Sequence, residues 1–250
     1  MTVTGTATTV DTLYVYGIAP AGVRPPDTPG VGGAPVRLLT APELCAAVSG
    51  APERVRARRR DLAAHQAVLD ELLAQGPVLP MRFGVLSTDP AALRTQLRAD
   101  RDDLTAQLAS VRDCLEMNVK GTAVPGHFAD LVRRDEKLRV LARRTRQRPD
   151  YEANVRLGEA LARGVRREAR RAAGEVLARL TPLAVRVAGG PLDEERVLSA
   201  SFLLRCGDEQ RFREEVAALA GRLGDRLALS VTGPLPCYSF VAARPAGTGR

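Results

Sequence analysis

The chain has 250 residues, a hydrophobic fraction of 45%, a charged fraction of 26% and a formal net charge of +8. That length is enough to bury a real core in one large or two small domains without covalent staples, and the balance is that of a folded chain rather than a disordered one. Four tyrosines, five phenylalanines and no tryptophan leave the core to be built from Leu, Val and Ala.

No apolar run approaches the roughly 20 residues that span a bilayer. The segment Met1 to Val10 is Thr-rich and lacks the basic and apolar blocks of a signal peptide, so a cytoplasmic chain is expected. Cys45, Cys114, Cys206 and Cys237 lie far apart with no C-x-x-C pair, and read as small buried apolar residues rather than a zinc site or disulfides. The basic surplus is local: residues 133–179 hold 15 Lys plus Arg against 7 Asp plus Glu. Only Lys120 and Lys137 are lysines, and the wealth of Arg, Ala, Gly and Pro fits the coding bias of a GC-rich genome, which discounts the arginines as a functional signal.

Thr12 to Ile18, β-branched and aromatic and stopped by Pro20, predicts a strand. Pro25 to Gly33, crowded with Pro and Gly, predicts a loop, and the short apolar runs Val36 to Leu39 and Leu44 to Val48 fit strands beside the first. From Glu53 to Gln75, Val55, Leu62, Leu69, Leu72 and Leu73 recur at helical spacing, between Pro52 and Gly76. Pro77 to Leu86 reads as a second strand, with Pro80 at an edge or at its start. Asp89-Pro90 opens a helix whose one face carries Leu93, Leu97, Leu104, Leu108, Val111 and Leu115, with Asp89 as N-cap. Cys114 to Val124 returns as a strand, so this part is expected to layer helices on one face of a sheet.

Residues 126–180 read as helical throughout, broken at Arg148-Pro149-Asp150, with Val155, Leu161, Val165, Val176 and Leu177 as the apolar positions of the second piece. Strands follow at Leu183 to Val187 and Val197 to Leu204. A helix then runs from Asp208, its N-cap, to Leu223, with Phe212, Val216, Leu219 and Leu223 inward. Leu227 to Val241 closes the chain as a strand interrupted at Gly233-Pro234. The reading is α+β with two domains, each with ferredoxin-like βαβ elements, joined by a long helical segment: 1–125, a basic helical linker over 126–180, and a smaller domain over 181–250 with a short flexible tail.

Chemistry-bearing residues are few. His65, three residues after Leu62 and four before Leu69, falls on the apolar face of its helix, where a core histidine bonded to backbone or a side chain is expected over a ligand-contacting one. His127 stands at a helix start, as a surface or capping residue. No phosphate-binding glycine loop, nucleophile elbow or H-E-x-x-H is present, and Glu194-Glu195 and Glu214-Glu215 read as solvated faces. A non-enzyme without cofactor or metal is expected. Arg82 interrupts an apolar strand, as an exposed residue or in an ion pair or partner contact, with Glu116 as the obvious mate.

Four blocks in order resemble the gas vesicle GvpL/GvpF family: Leu13-Tyr-Val-Tyr-Gly-Ile18; His65 with Val68-Leu69 and Val78-Leu-Pro-Met-Arg-Phe-Gly84; Leu115-Glu-Met-Asn-Val-Lys120; and Gly233-Pro-Leu-Pro-Cys-Tyr-Ser-Phe-Val241. In the last block Leu235 and Cys237 replace the family's usual Trp and second Pro, which removes an aromatic contact and a rigid kink. The resemblance implies a cytoplasmic, gas-vesicle-associated accessory protein that binds the major shell protein and prevents its aggregation during nucleation, with other accessory proteins as further partners and no membrane. Its motif residues are Tyr14, Tyr16, His65, Arg82, Phe83, Gly84, Glu116, Lys120, Tyr238 and Phe240. The rival readings are a nucleic-acid binder using the Arg-rich helices 133–179, disfavoured by interspersed acids and the lack of an aromatic stacking platform, and a ferredoxin-like enzyme with a cofactor at His65.

Overall fold

A computed structural model describes residues 12–126, 128–148 and 150–241. The expectations for His127 and for the tail beyond residue 241 fall outside the described residues. The chain divides into two units at Leu115/Glu116 and again at Pro234/Leu235, so the last segment returns to the first unit and the helices of 126–180 belong to the second.

The first unit is built on β1 (Leu13–Pro20), β2 (Arg37–Thr40), β3 (Leu44–Gly50), β4 (Leu79–Pro80) and β5 (Leu86–Ser87). The sheet order is β2-β3-β1-β4, with β5 also on β1. β1 and β3 pair antiparallel from Leu13↔Gly50 to Pro20↔Leu44, with a bulge between Val15 and Gly17. The helices are α1 (Arg59–Leu73), α2 (Pro90–Ala99) and α3 (Arg101–Ser110). Tyr14 of β1 meets His65 of α1, whereas Val15 and Ile18 line a small cavity of about 50 Å³ with Leu93, Leu97 and Leu104 of α2 and α3. Strand residues one apart face opposite sides. Helices therefore cover both faces of this sheet, not the one face expected.

Three boundaries differ from expectation. α1 begins at Arg59 rather than Glu53, because the stretch before it offers only Val55 to a core, and a helix with no face to bury is not stable on its own. Leu62 is exposed, and the buried stripe of α1 is His65, Val68, Leu69 and Leu72. The single helix expected from Asp89 is split at Asp100 into α2 and α3. Asp89 caps α2 as expected by accepting from the Ala91 N–H, while Val111 ends α3 and Leu115 lies in the following strand.

In the second unit, β6 (Cys114–Ala123, whose first two residues belong to the first unit), β7 (Arg186–Gly189), β8 (Arg196–Arg205) and β9 (Leu227–Leu235, whose last residue belongs to the first unit) order as β7-β8-β6-β9. Its helices are α4 (Phe128–Arg134), α5 (Glu136–Gln147), α6 (Tyr151–Leu180) and α7 (Glu209–Leu223). With α6 between β6 and β7 and α7 between β8 and β9, this is a complete βαββαβ ferredoxin-like sandwich. The helical run 126–180 breaks at Asp135 as well as at 148–150, because Asp135 accepts from the Lys137 and Leu138 N–H groups and starts a new helix. Along α6 the fully buried positions are Gly164, Ala169, Ala172, Ala173, Val176 and Leu180, so of the five apolar residues expected inward only Val176 is fully covered.

Asp208 stands at the α7 N-cap without a side-chain cap bond, since a 3-10 turn over Cys206–Asp208 leads into the helix. That turn also leaves Cys206 exposed, while Cys45, Cys114 and Cys237 are buried as expected. Phe212, Val216, Leu219 and Leu223 are buried, and Phe212 meets Phe202 of β8 at 5.1 Å between ring centroids. β7 begins at Arg186, after a 3-10 turn over Thr181–Leu183. β9 runs through the cis Gly233–Pro234 peptide instead of breaking there, and ends at Leu235.

Candidate functional site

The alternation of β1 places Tyr14 and Tyr16 on the face covered by α1, and the spacing of α1 brings His65 between them. Tyr14 and Tyr16 rings lie 4.8 Å apart, and His65 stacks on Tyr16 at 5.6 Å. Phe83 closes the group edge-on at 5.8 Å from Tyr14 and 5.7 Å from His65.

The polar side-chain atoms of this cluster all find partners. His65 Nε2 is 3.1 Å from the Met81 carbonyl, which can only accept, so Nε2 carries the proton and Nδ1 accepts from the Tyr14 hydroxyl at 3.0 Å. Tyr14 Oη in turn accepts from the Gly84 N–H at 3.0 Å. Tyr16 Oη accepts from the Val31 N–H at 2.7 Å and shares a hydrogen with Ser49 Oγ at 2.9 Å. The Tyr238 hydroxyl reaches His65 Nε2 at 3.3 Å. Burial lowers the His65 pKa, partly offset by the bond to Met81, and raises Tyr14 to about 12. Burial also raises Tyr16.

The same network explains why Pro77 to Leu86 is not one strand. Both ends pair with β1: the Met81 N–H donates to the Tyr16 carbonyl at 2.8 Å, and the Val15 N–H to the Val85 carbonyl at 3.0 Å. Between them the chain turns over Gly84, at φ +90°, so that its N–H meets the Tyr14 hydroxyl. Arg82 is exposed on this turn.

Of the motif residues, Tyr14, Tyr16, His65, Phe83, Gly84 and Tyr238 thus converge in the first unit. Phe240 is half-buried in the turn after Tyr238, its N–H bonded to the Cys237 carbonyl at 3.2 Å. Glu116, buried, and Lys120, exposed, lie on β6 in the second unit. Cys237, where the family usually has proline, is buried, with its thiol 3.8 Å from the Cys114 carbonyl. Sequence reasoning missed Ser49 and Val31. Ser49 had a signal, a polar residue ending the apolar run Leu44 to Val48; the Val31 N–H had none, because its role comes from loop placement.

The arrangement braces β1, α1, the turn over Gly84 and the C-terminal segment against one another. The surfaces that remain open lie elsewhere. β7 and β9 are the outer strands of the second sheet among the described residues; Val185 beside β7 is 49% exposed, Val187 is exposed, and Leu192 is 61% exposed. Val187 lies opposite Phe202 on β8, on the face where α7 packs. In the basic region, Arg133, Arg139, Arg156, Arg163, Arg167 and Arg179 pair with Asp130, Glu136, Glu152, Glu159, Asp135 and Glu215. Among the described residues no helix is long and apolar enough to cross a membrane.

Comparison with known proteins agrees in extent and in fold. The sequence model of "Gas vesicle synthesis protein GvpL/GvpF" matches residues 12–242. Gas vesicle protein F of Streptomyces sp. (strain CB03234) is 37% identical over 235 residues, covering 91% of this chain and 98% of that protein. Gas vesicle protein L of the same strain is 28% identical, covering 91% of each. The crystal structures of GvpF from Microcystis aeruginosa and Anabaena sp. PCC7120 superpose with TM-scores of 0.73 and 0.74 at 22% identity, over 92% and 94% of this chain and 98% and 99% of those chains. With its motif blocks, its βαββαβ unit and the match from the first strand to the last described turn in agreement, the chain belongs to the gas vesicle GvpL/GvpF family.

Proposed function

We propose that this protein is a non-catalytic assembly factor that binds the major gas vesicle shell protein in the cytoplasm and keeps it from aggregating while shells nucleate. Family membership supports a gas-vesicle accessory role, and β7, one of the two outer strands and flanked by exposed valines, supports the finer reading. An outer strand with unpaired backbone groups is a template for strand addition, and proteins usually guard such edges with charge, bulges or cover. Here Val185 and Val187 extend an apolar row along the face of a sheet edge. A β-rich apolar partner adds a strand there, its backbone satisfying the ladder and its alternate side chains continuing the row.

The test is co-purification of the full chain with the major shell protein of its own gene cluster, at low and high salt, together with shell-protein turbidity in its presence. Salt-resistant capture and suppressed turbidity are expected, both lost in a Val185→Lys/Val187→Lys variant. Capture by neither chain at either salt overturns the reading. Capture that salt abolishes and the valine changes leave intact shifts binding to the arginine-rich helices. The nucleic-acid rival is weakened by the local ion pairs of those arginines, which leave less charge for phosphates.

A further inference from the structure

The geometry points to a binding site for the phosphoryl group of a small molecule at the elbow of α5 and α6, independently of the shell-protein reading. An open hollow of about 420 Å³ lies there, with Arg144, Thr145, Gln147, Arg148, Asp150 and Arg156 as its polar lining and Leu141 and Ala153 as its apolar part. That volume is in the range of small-molecule sites. Helical spacing brings the basic groups together. Leu141, Arg144, Thr145 and Arg148 follow one face of α5 to its C-cap, and Asp150, Ala153 and Arg156 step by three from the N-cap of α6.

Two observations distinguish this hollow from a solvated face. The first is unmatched positive charge. Asp150 turns its carboxylate to the Ala153 N–H at 2.6 Å, and Glu152 pairs with Arg156, so Arg144 and Arg148 have no carboxylate mate among the described residues. They stand four residues apart on a helix, where like charges repel, and the N-terminus of the 30-residue α6 adds its own partial positive charge. The second is a hydroxyl. Thr145 is 6% exposed, and its Oγ1 has no hydrogen-bond partner. Folds rarely leave a buried polar atom so.

A phosphoryl group answers both. Each guanidinium presents donors in a planar fork that matches phosphate oxygens, and the Thr145 hydroxyl can donate as well. A group with close to two negative charges and three acceptor oxygens serves Arg144, Arg148 and Thr145 together, where a carboxylate has one charge and two oxygens. Arg156 adds to it readily, because its pair with Glu152 is exposed and weak. Leu141 and Ala153 leave an apolar flank for the organic part of a phosphate ester.

Calorimetric titration of the full chain at low salt with inorganic phosphate, with ADP and with an oligonucleotide tests the site. Saturable binding of phosphate or ADP is expected, with a higher melting temperature at saturation. Tighter binding of ADP assigns a phosphate ester, and equal binding assigns free phosphate. Arg144→Ala/Arg148→Ala should weaken binding about tenfold to 100-fold. Arg143→Ala/Arg146→Ala, which removes the same charge from exposed positions on the opposite face of α5, should change it less than about twofold. Thr145→Val should weaken binding about threefold to tenfold without lowering the melting temperature of the free chain, because the hydroxyl it deletes bonds nothing there. No saturable binding of phosphate or ADP up to about 10 mM overturns the proposal. So does equal loss in the two double variants, a Thr145→Val chain that binds like the wild type, or binding of the oligonucleotide alone.

Discussion

His65 Nδ1 accepts the Tyr14 hydroxyl at 3.0 Å while Nε2 donates to the Met81 carbonyl at 3.1 Å, so a residue of the first helix is held by the first strand and by the turn that follows the helix. Both nitrogens are committed in the neutral ring. A second proton on Nδ1 would point a donor at an oxygen that already accepts from Gly84.

Stability should therefore fall on acidification. Burial sets the folded pKa of His65 below its ordinary 6.5, so the unfolded chain takes up the proton first. The stabilisation is complete above the unfolded value and is lost as pH drops through that value toward the folded one, at up to about 1.4 kcal/mol per pH unit for one proton. Urea unfolding of the wild type and His65→Gln between about pH 5 and pH 8 checks this; the variant should lose this component of the slope below pH 6.5. An identical slope in both would mean that His65 is not its source.

Tyr14→Phe should cost about 1–3 kcal/mol, because it strands the Gly84 N–H and His65 Nδ1 in a buried place. Tyr238→Phe should cost less, since Tyr238 is half-buried and His65 Nε2 keeps its bond to Met81. Chemical denaturation of the two variants gives the comparison, and equal losses would contradict it.

Gly17→Ala should destabilise by about 1–3 kcal/mol through overpacking. An added Cβ would stand 2.9 Å from the Leu79 carbonyl oxygen and 3.0 Å from both Leu69 and Val78. The expected signature is a lower melting temperature with an unchanged circular dichroism spectrum in the folded baseline.

Along α1, Leu69→Ala should cost about 2–5 kcal/mol, whereas Leu62→Ala should stay within about 0.5 kcal/mol. Leu69 is fully buried and Leu62 is exposed, although both fit the same helical period. Thermal melts of the two variants discriminate directly.

That last pair shows where reading the sequence stopped. Period and caps located α1, α2 and α7, and the inward stripe of α7 was legible residue by residue because its helix is amphipathic along its whole length. The helical period predicts α1 from Glu53, but the helix begins at Arg59, because arginines and a lone valine offer that stretch no face to pack. The site was legible as a set of residues, Tyr14, Tyr16, His65, Phe83, Gly84 and Tyr238, but not as an arrangement. The turn that replaces the middle of the expected second strand exists because the Tyr14 hydroxyl binds the Gly84 N–H from across the sheet, and no local pattern announces a bond between residues so distant in the chain.

From the amino acids alone come the α+β class, the first strand over Tyr14 and Tyr16, the breaks at Asp89 and Asp150, and the four blocks that place the chain in its family, because each depends on neighbours within a few residues. Strand order depends on contacts between segments far apart. Folding in three dimensions is what recruits β6 into the ferredoxin-like sheet beside β8 and β9, covers both faces of the first sheet, and returns Tyr238 to His65. Those outcomes turn on which apolar faces meet and which backbone groups find partners, and that competition is settled across the whole chain at once.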